Sequence, residues 1–276
     1  MVRILVDTSS DLPKEYREKH KIEWVHFPIA FDTETYYDRK DLDAVEFYDK
    51  IKESGIVPKT SQVICEQFEP AIRKLLENED DQVLVITLSS TLSGTYNEAV
   101  RAKENIDSDR VYILDSNLAT IMIGDLAITG AEMAEAGASL EEIVAVLEEK
   151  KYKREMIFVL DTLEFLRKGG RISFAQSVVG GLLNIKAVLK YTNEGKIVPF
   201  EKAKGKKQAL KILLDYVKNN RVDGNRIIMA HAINEEFVEE IKAALETELG
   251  LKVDIVAEIG AVIGTHVGPG TVAISC

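Results

Sequence analysis

The run "VLVITL" at 83–88 passes into "SSTLSG" at 89–94 and then into "TYNEAVRAKEN" at 95–105. Six consecutive positions without polar alternation read as a strand buried on both faces, and the spacing from about Ser93 onward is helical. Hydroxyl side chains and one glycine fill the corner between the two. Strand, polar corner and helix form the building unit of a parallel sheet covered by helices on both faces. The same order recurs nearby. "RILVD" (3–7) leads into "TSSD", and "RVYILDS" (110–116) leads into a helical stretch from about Leu118. "HFPIAF" (26–31) reads as a further strand, and "DAVEFYDKIKES" (43–54) as a helix stopped by Gly55. "CEQFEPAIRKLLEN" (65–78) has helical spacing, with Pro70 tolerated near its first turn. "SLEEIVAVLEEKKYK" (139–153) repeats the helical pattern behind Ser139 as N-cap. A first domain over 1–153 follows. Ligands of such sheets sit beyond the carboxyl ends of the strands, and three of those ends are polar: "DTSSD" (7–11), "SSTLSG" (89–94) and "DSN" (115–117).

Past Lys153 the pattern changes. "MIFVL" (156–160), "AVLKYT" (187–192), "KIVPF" (196–200), "RIIMAHA" (226–232), "VDIVAEI" (253–259) and "GTVAIS" (270–275) are strand candidates, with helical spacing near 206–219 and 234–248. The "NEG" at 193–195 suits a hairpin turn. This mixture predicts an α+β second domain over 154–276 with a mixed sheet.

Composition narrows the function. A net charge of −11 over 276 residues opposes general nucleic-acid binding, which needs a basic surface. It leaves room for a local pocket that takes a small anion. The two cysteines, Cys65 and Cys276, make no CxxC pair, so a reducing setting is expected. "MVRILVDTSSDL" enters a strand at once without the apolar core of a signal peptide, and no run reaches membrane-spanning length. The expectation is a cytoplasmic protein without stable membrane insertion.

The polar segments admit two readings each. If Ser93 caps the helix, the free amides of Gly94, Thr95 and Tyr96 favour an anion, and the Ser93 and Thr95 hydroxyls serve equally well as simple caps. No G-x-S-x-G elbow surrounds Ser93, since positions 91 and 95 are Thr, so a serine nucleophile would need a base from elsewhere. "ILVDTSSD" lacks the second Asp of an aspartyl-phosphate site, and no P-loop occurs. "PKTSQ" (58–62) places Thr60 and Ser61 before a helix, as caps or as ligands. "LRKGGRIS" (166–173) sets Arg167, Lys168 and Arg171 around two glycines, a solvated basic loop or an anion receiver. "GAVIGTHVGPG" (260–270) carries four glycines, Pro269 and His266, and reads as a fixed loop. "EKAKGKKQALK" (201–211) holds five lysines, a solvated face or a docking patch. The four histidines lack paired metal-ligand spacing, so no metal or cofactor is expected.

Together "VDTSSDLP", "PKTSQ", "SSTLSGTY", "DTLEFLRKGGRIS", "LLNIKAVL", "GKIVPFEKAKGKKQAL" and "IGTHVGPG" resemble the DegV family nearly end to end. That family includes the fatty-acid-binding subunits of bacterial fatty acid kinase. The motifs are loose singly, but their order and spacing are specific. The resemblance implies a three-layer α/β/α domain followed by an α/β domain, with a long-chain fatty acid held between them. Its carboxyl group would be presented to a separate ATP-dependent kinase. It assigns carboxylate binding to Thr60 or Ser61, to Ser93 with the Gly94 amide, and to His266. Arg171 and Lys204 become contacts for the partner or its phosphate, and no residue is catalytic. Arg is common where Lys204 stands, and the change gives up a bidentate phosphate contact. "TSQVI" and "DRKDLD" (38–43) depart from the usual family loops without removing a ligand residue. Phe27, Phe165 and Ile263 are candidates for lining the acyl tail. The alternative is a serine hydrolase or acyltransferase acting on an acyl ester through Ser93 and His266.

Overall fold

The computed structural model describes residues 1–171, 185–192 and 195–276. In chain order its elements begin with β1 (Val2–Asp7), a 3-10 turn (Thr8–Ser10), α1 (Lys14–Lys19), β2 (Glu23–Val25), β3 (Pro28–Phe31) and β4 (Glu34–Tyr37). Then come α2 (Ala44–Ser54), β5 (Lys59–Thr60), α3 (Cys65–Leu75), β6 (Gln82–Thr87), α4 (Thr95–Ile106), β7 (Val111–Asp115), α5 (Ile121–Glu135) and α6 (Leu140–Lys151). The rest are β8 (Met156–Leu160), α7 (Glu164–Lys168), β9 (Ile185–Tyr191), β10 (Ile197–Lys204), α8 (Gly205–Asn220), β11 (Ile228–His231), α9 (Glu235–Leu249), β12 (Ile255–Glu258), α10 (Ala261–Val267) and β13 (Val272–Ser275).

Two compact units result: 1–42 with 60–152, and 43–59 with 153–276. Residues 43–59 thus depart from the 1–153 division expected from the sequence. The cause is local packing. α2 caps itself with a reciprocal Asp43–Glu46 box and ends at Gly55 in the left-handed region. Its buried face of Phe47, Tyr48 and Ile51 is apolar, and Tyr48 Oη donates to the Ile259 carbonyl at 3.1 Å. Gly264 of α10 is what lets the helices approach. A Cβ there would lie 2.5 Å from Tyr48 Oη and 2.8 Å from the Phe47 ring.

In the first unit a parallel sheet runs in the order β2-β1-β6-β7. Every β6 residue after Gln82 is buried. Successive residues face opposite sides of a strand, so both sheet faces are covered. α5, apolar almost all round, packs on β1 and β6 with α6 against it, while α3 and α4 pack together and against β2, β6 and β7. A small sheet, β4-β3-β5, adds to this unit. Ser139 caps α6 with the Glu142 box, as the sequence predicts. Pro70 sits in the second turn of α3, not the first, with no N–H to offer the Glu66 carbonyl. The chain leaves β1 toward β2 on one side and reaches β6 on the other. The strand order therefore reverses between β1 and β6, the place where open parallel sheets put ligands.

The second unit holds a mixed sheet, β10-β9-β8-β13-β11-β12, in which only β11 and β12 run parallel. Ile212, Leu213 and Val217 of α8 and Phe237, Val238 and Ile241 of α9 join Ile157, Val188, Met229 and Ile274 in one core. β9 and β10 pair antiparallel, Tyr191 opposite Ile197. The "NEG" turn at 193–195 lies outside the described residues at its first two positions, as do residues 172–184, which end "LRKGGRIS" and begin "LLNIKAVL". Among the described residues no helix is long and apolar enough to cross a membrane.

Candidate functional site

The first unit concentrates polar groups where β1, β6 and β7 end. Asp7 closes β1 and is wholly buried. Its Oδ1 accepts from the Ser9 amide at 3.0 Å and from the Ser9 hydroxyl, and its Oδ2 accepts from the Leu88 amide at 2.7 Å. Burial pushes its carboxyl group up to about 6, against the hydrogen bonds that favour the anion and with the help of nearby Asp11. Thr8 Oγ1 accepts from the Phe27 amide at 3.2 Å, and Asp11 accepts from Thr120 Oγ1 at 2.7 Å. At the end of β7, Asp115 Oδ1 accepts from the Ser90 amide at 3.1 Å and the Asn117 amide at 3.2 Å.

Between these anchors runs the hydroxyl corner. Leu92 and Ser93 donate their amides to the Ser89 carbonyl at 3.0 and 3.2 Å. The expected cap moves by one residue. α4 starts at Thr95 with Gly94 at the N-cap, and Ser93 stands just before it. The reason is that Ser93 Oγ folds onto the helix start, accepting from the Thr95 amide at 3.3 Å and bonding Thr95 Oγ1 at 2.9 Å. Thr95 Oγ1 also accepts from the Val63 amide at 3.2 Å. A Cβ on Gly94 would run into the Gln62 side chain. "PKTSQ" and "SSTLSG" therefore meet, joined by Gln62 against Gly94 and Val63 on Thr95. Thr60 closes β5 half-buried, and the exposed Ser61 gives its amide to the Pro28 carbonyl at 3.2 Å. Ser93 and Gly94 are half-buried, open enough to reach a ligand. Gln62 and the Thr95 hydroxyl hold the two segments together, a role that neither "PKTSQ" nor the helix start announces in sequence.

In the second unit the segment 260–270 is not the expected loop throughout. Residues 261–267 form α10, and only 268–270 make the turn, with Gly268 and Gly270 at positive φ. The glycine density misled because Gly264 serves helix packing. His266 lies in the last turn of α10, half-buried, and its Nδ1 abuts Gly169 so closely that a Cβ there would collide. Arg171 donates from Nη1 to the Gly169 carbonyl at 2.9 Å. Burial and the Arg171 charge push His266 down to about 4. His266 is thus neutral near pH 7 and lacks the positive charge a protonated ring would bring. So weak a base is also ill suited to activate a serine, which counts against the hydrolase alternative.

Lys204 ends β10 exposed, its amide donating to Gln208 Oε1 at 2.7 Å. Phe27 is 2% exposed in the first unit. In the second unit Phe165 is 8% exposed with its ring against Gly268, and Ile263 is half-buried on α10.

A parallel-sheet unit with hydroxyls at its strand-order reversal, joined in one chain to a mixed-sheet unit, defines a two-domain α/β protein. The chain belongs to the DegV family, whose model, described as an uncharacterised protein family, matches residues 1–276. A fatty acid-binding protein of Thermotoga maritima is 38% identical over 277 residues, covering 98% of this chain and 96% of its own. A fatty-acid-binding DegV family structure from Thermus thermophilus superposes with a TM-score of 0.90 at 32% identity, covering 99% of this chain and 98% of that one. A stearic acid-binding protein of Eubacterium ventriosum gives 0.90 at 26% identity, covering 100% and 97%.

Proposed function

We propose that this chain binds one long-chain fatty acid and presents its carboxyl group to a separate ATP-dependent fatty acid kinase. The observation that carries the reading is the meeting of two hydroxyl segments, Thr60–Gln62 and Ser93–Thr95, around Gly94 in a protein whose relatives bind fatty acids. Burying about 0.8 kcal/mol per methylene over ~14 methylenes yields on the order of 11 kcal/mol before association costs. The tail supplies affinity, and the head group decides orientation. A buried carboxylate left without partners costs several kcal/mol. Thr60, Ser61 and Ser93, with the Gly94 amide, answer that need. Neutral His266 is a further hydrogen-bond partner in this proposal, and Phe27, Phe165 and Ile263 line the tail. Hydroxyl and amide donors leave the carboxyl oxygens less shielded than an arginine fork does, which suits a group that must be phosphorylated.

The cations at Arg171 and Lys204 are proposed to serve the kinase step. The test has two stages. Mass spectrometry of an organic extract of the purified protein is expected to give stoichiometric fatty acid, and a protein that carries none and takes up none on addition would overturn the reading. Ser93→Ala is expected to shorten fatty acid retention about tenfold, the loss of one hydrogen bond to a charged group, with Lys204→Ala unchanged. With purified kinase, Arg171→Ala and Lys204→Ala are expected to lower acyl phosphate formation at unchanged fatty acid affinity. Normal turnover in both would remove the docking role.

A further inference from the structure

Asp7 opens the polar strand end "DTSSD", where no role was assigned to it, and its contacts lead to the site. Leu88 gives its amide to Asp7 Oδ2 at 2.7 Å, and the next residue, Ser89, gives its own to the Leu118 carbonyl at 3.0 Å. The Ser89 carbonyl in turn accepts from Leu92 at 3.0 Å and Ser93 at 3.2 Å. Ser89 to Ser93 form one short turn, which Leu118 holds from the side of the β7 exit and Asp7 from the side of the β1 exit, so the place where Ser93 stands depends on where Leu88 is held. The other carboxylate oxygen is taken by Ser9 through both its amide and its hydroxyl. One buried side chain thus ties the exit of β1 to the exit of β6, at the reversal of strand order. A fully buried carboxylate is an expensive way to join two strands that already share a ladder. An apolar side chain of similar volume would pack there at lower cost. Stability does not explain it, whereas fixing a corner does.

We infer that Asp7 is a positioning residue for the carboxyl-binding corner, holding Ser93 in register through Leu88 and Ser89. The inference rests on the reading that Ser93 receives the fatty acid carboxyl group. An acidic side chain is required because donors approach both oxygens, Ser9 beyond the end of β1 and Leu88 beyond the end of β6, and asparagine at this position meets one side with its own N–H.

The test is a double-mutant cycle on the full chain with Asp7→Asn, Ser93→Ala and the pair, using ¹³C-carboxyl palmitate and its methyl ester. Asp7→Asn is expected to weaken palmitate binding about tenfold, the scale of one charged hydrogen bond. The ester, which lacks the carboxylate, is expected to bind unchanged. The ¹³C carboxyl resonance of bound palmitate should move toward its position in Ser93→Ala, and the pair should be no weaker than the stronger single variant. Equal weakening of acid and ester, an unmoved resonance, or multiplying effects would each overturn the role of Asp7. Ser93→Ala that fails to separate acid from ester overturns the carboxyl-binding reading first, and this outcome is read without any Asp7 variant. Ser9→Ala removes only one donor to Asp7 and covers the case in which Asp7→Asn does not fold. It is expected to show the same acid-over-ester loss at about threefold, half the charged-bond scale, and no such loss would likewise overturn the proposal.

Discussion

Asp7 of the first unit and His266 of the second both stand poorly solvated beside a candidate site, and desolvation drives the two in opposite directions. Asp7 in the first unit is pushed up to about 6, and His266 in the second is pushed down to about 4. The physical cause is shared: a poorly solvated site disfavours whichever form is charged. The consequences for pH diverge. The folded Asp7 binds its proton more tightly than the unfolded group at 3.8, so the stability it contributes is present below about 4 and lost as pH rises to about 6. The folded His266 binds its proton less tightly than the unfolded ring at 6.5, so the chain gains stability as pH rises from about 4 to about 6.5. A buried acid and a buried base teach that one and the same desolvation moves stability in opposite directions with pH, because the neutral form it favours is the protonated one in Asp7 and the deprotonated one in His266.

Two glycines give the sharpest way to break this comparison. Gly169 faces a fixed imidazole and also the Phe165 carbonyl, 3.0 Å from where a Cβ would stand. Gly169→Ala is expected to destabilise the protein by about 3 kcal/mol in urea unfolding, since neither neighbour yields easily. The titration midpoints come next. In NMR pH titrations of the full chain, Asp7 is expected near 6 and His266 near 4, and midpoints at ordinary values would erase the contrast. His266→Asn is expected to remove the part of the stability loss that sets in below pH 6.5, by about 2 kcal/mol at pH 4.5. The smallest effect belongs to Gly94→Ala. Its added methyl meets the end of the Gln62 side chain, which can turn away, so the stability change is expected below about 1 kcal/mol. Fatty acid retention should still fall, because Gln62 is displaced into the corner. A loss equal to that of Gly169→Ala would show that both corners are equally rigid.

Much of the fold was legible because strands buried on both faces leave apolar runs, and the helices between them carry their own caps. "VLVITL" and the Ser139 box are of that kind. What stayed hidden has a different physics. β2 spans three residues and β5 two, too short for any periodicity to register. α10 was masked by glycines whose purpose appears only against Phe47 and Tyr48, two hundred residues away in the chain. Ser93, Gly94 and the Thr60–Ser61 pair were legible as polar company at strand ends and through family resemblance. Asp7 was seen as part of "DTSSD", yet its burial and its hold on Leu88 depend on a strand pairing that local sequence does not encode. The neutrality of His266 follows from Arg171 and enclosure, which spacing cannot report.

The placement of α2 also sets a timetable. Its apolar face of Phe47, Tyr48 and Ile51 is synthesised early, but α10, which carries Gly264, is made roughly two hundred residues later, on the order of ten seconds or more at ribosomal speed. During that interval the segment is bounded on both sides by chain belonging to the other unit, and its own core does not yet exist. A nascent chain halted between residues 60 and 260 therefore displays an amphipathic helix with no place to dock, a natural handle for chaperones and proteases. Cutting the gene at residue 153 strands that helix permanently, so the two units are better handled as one chain.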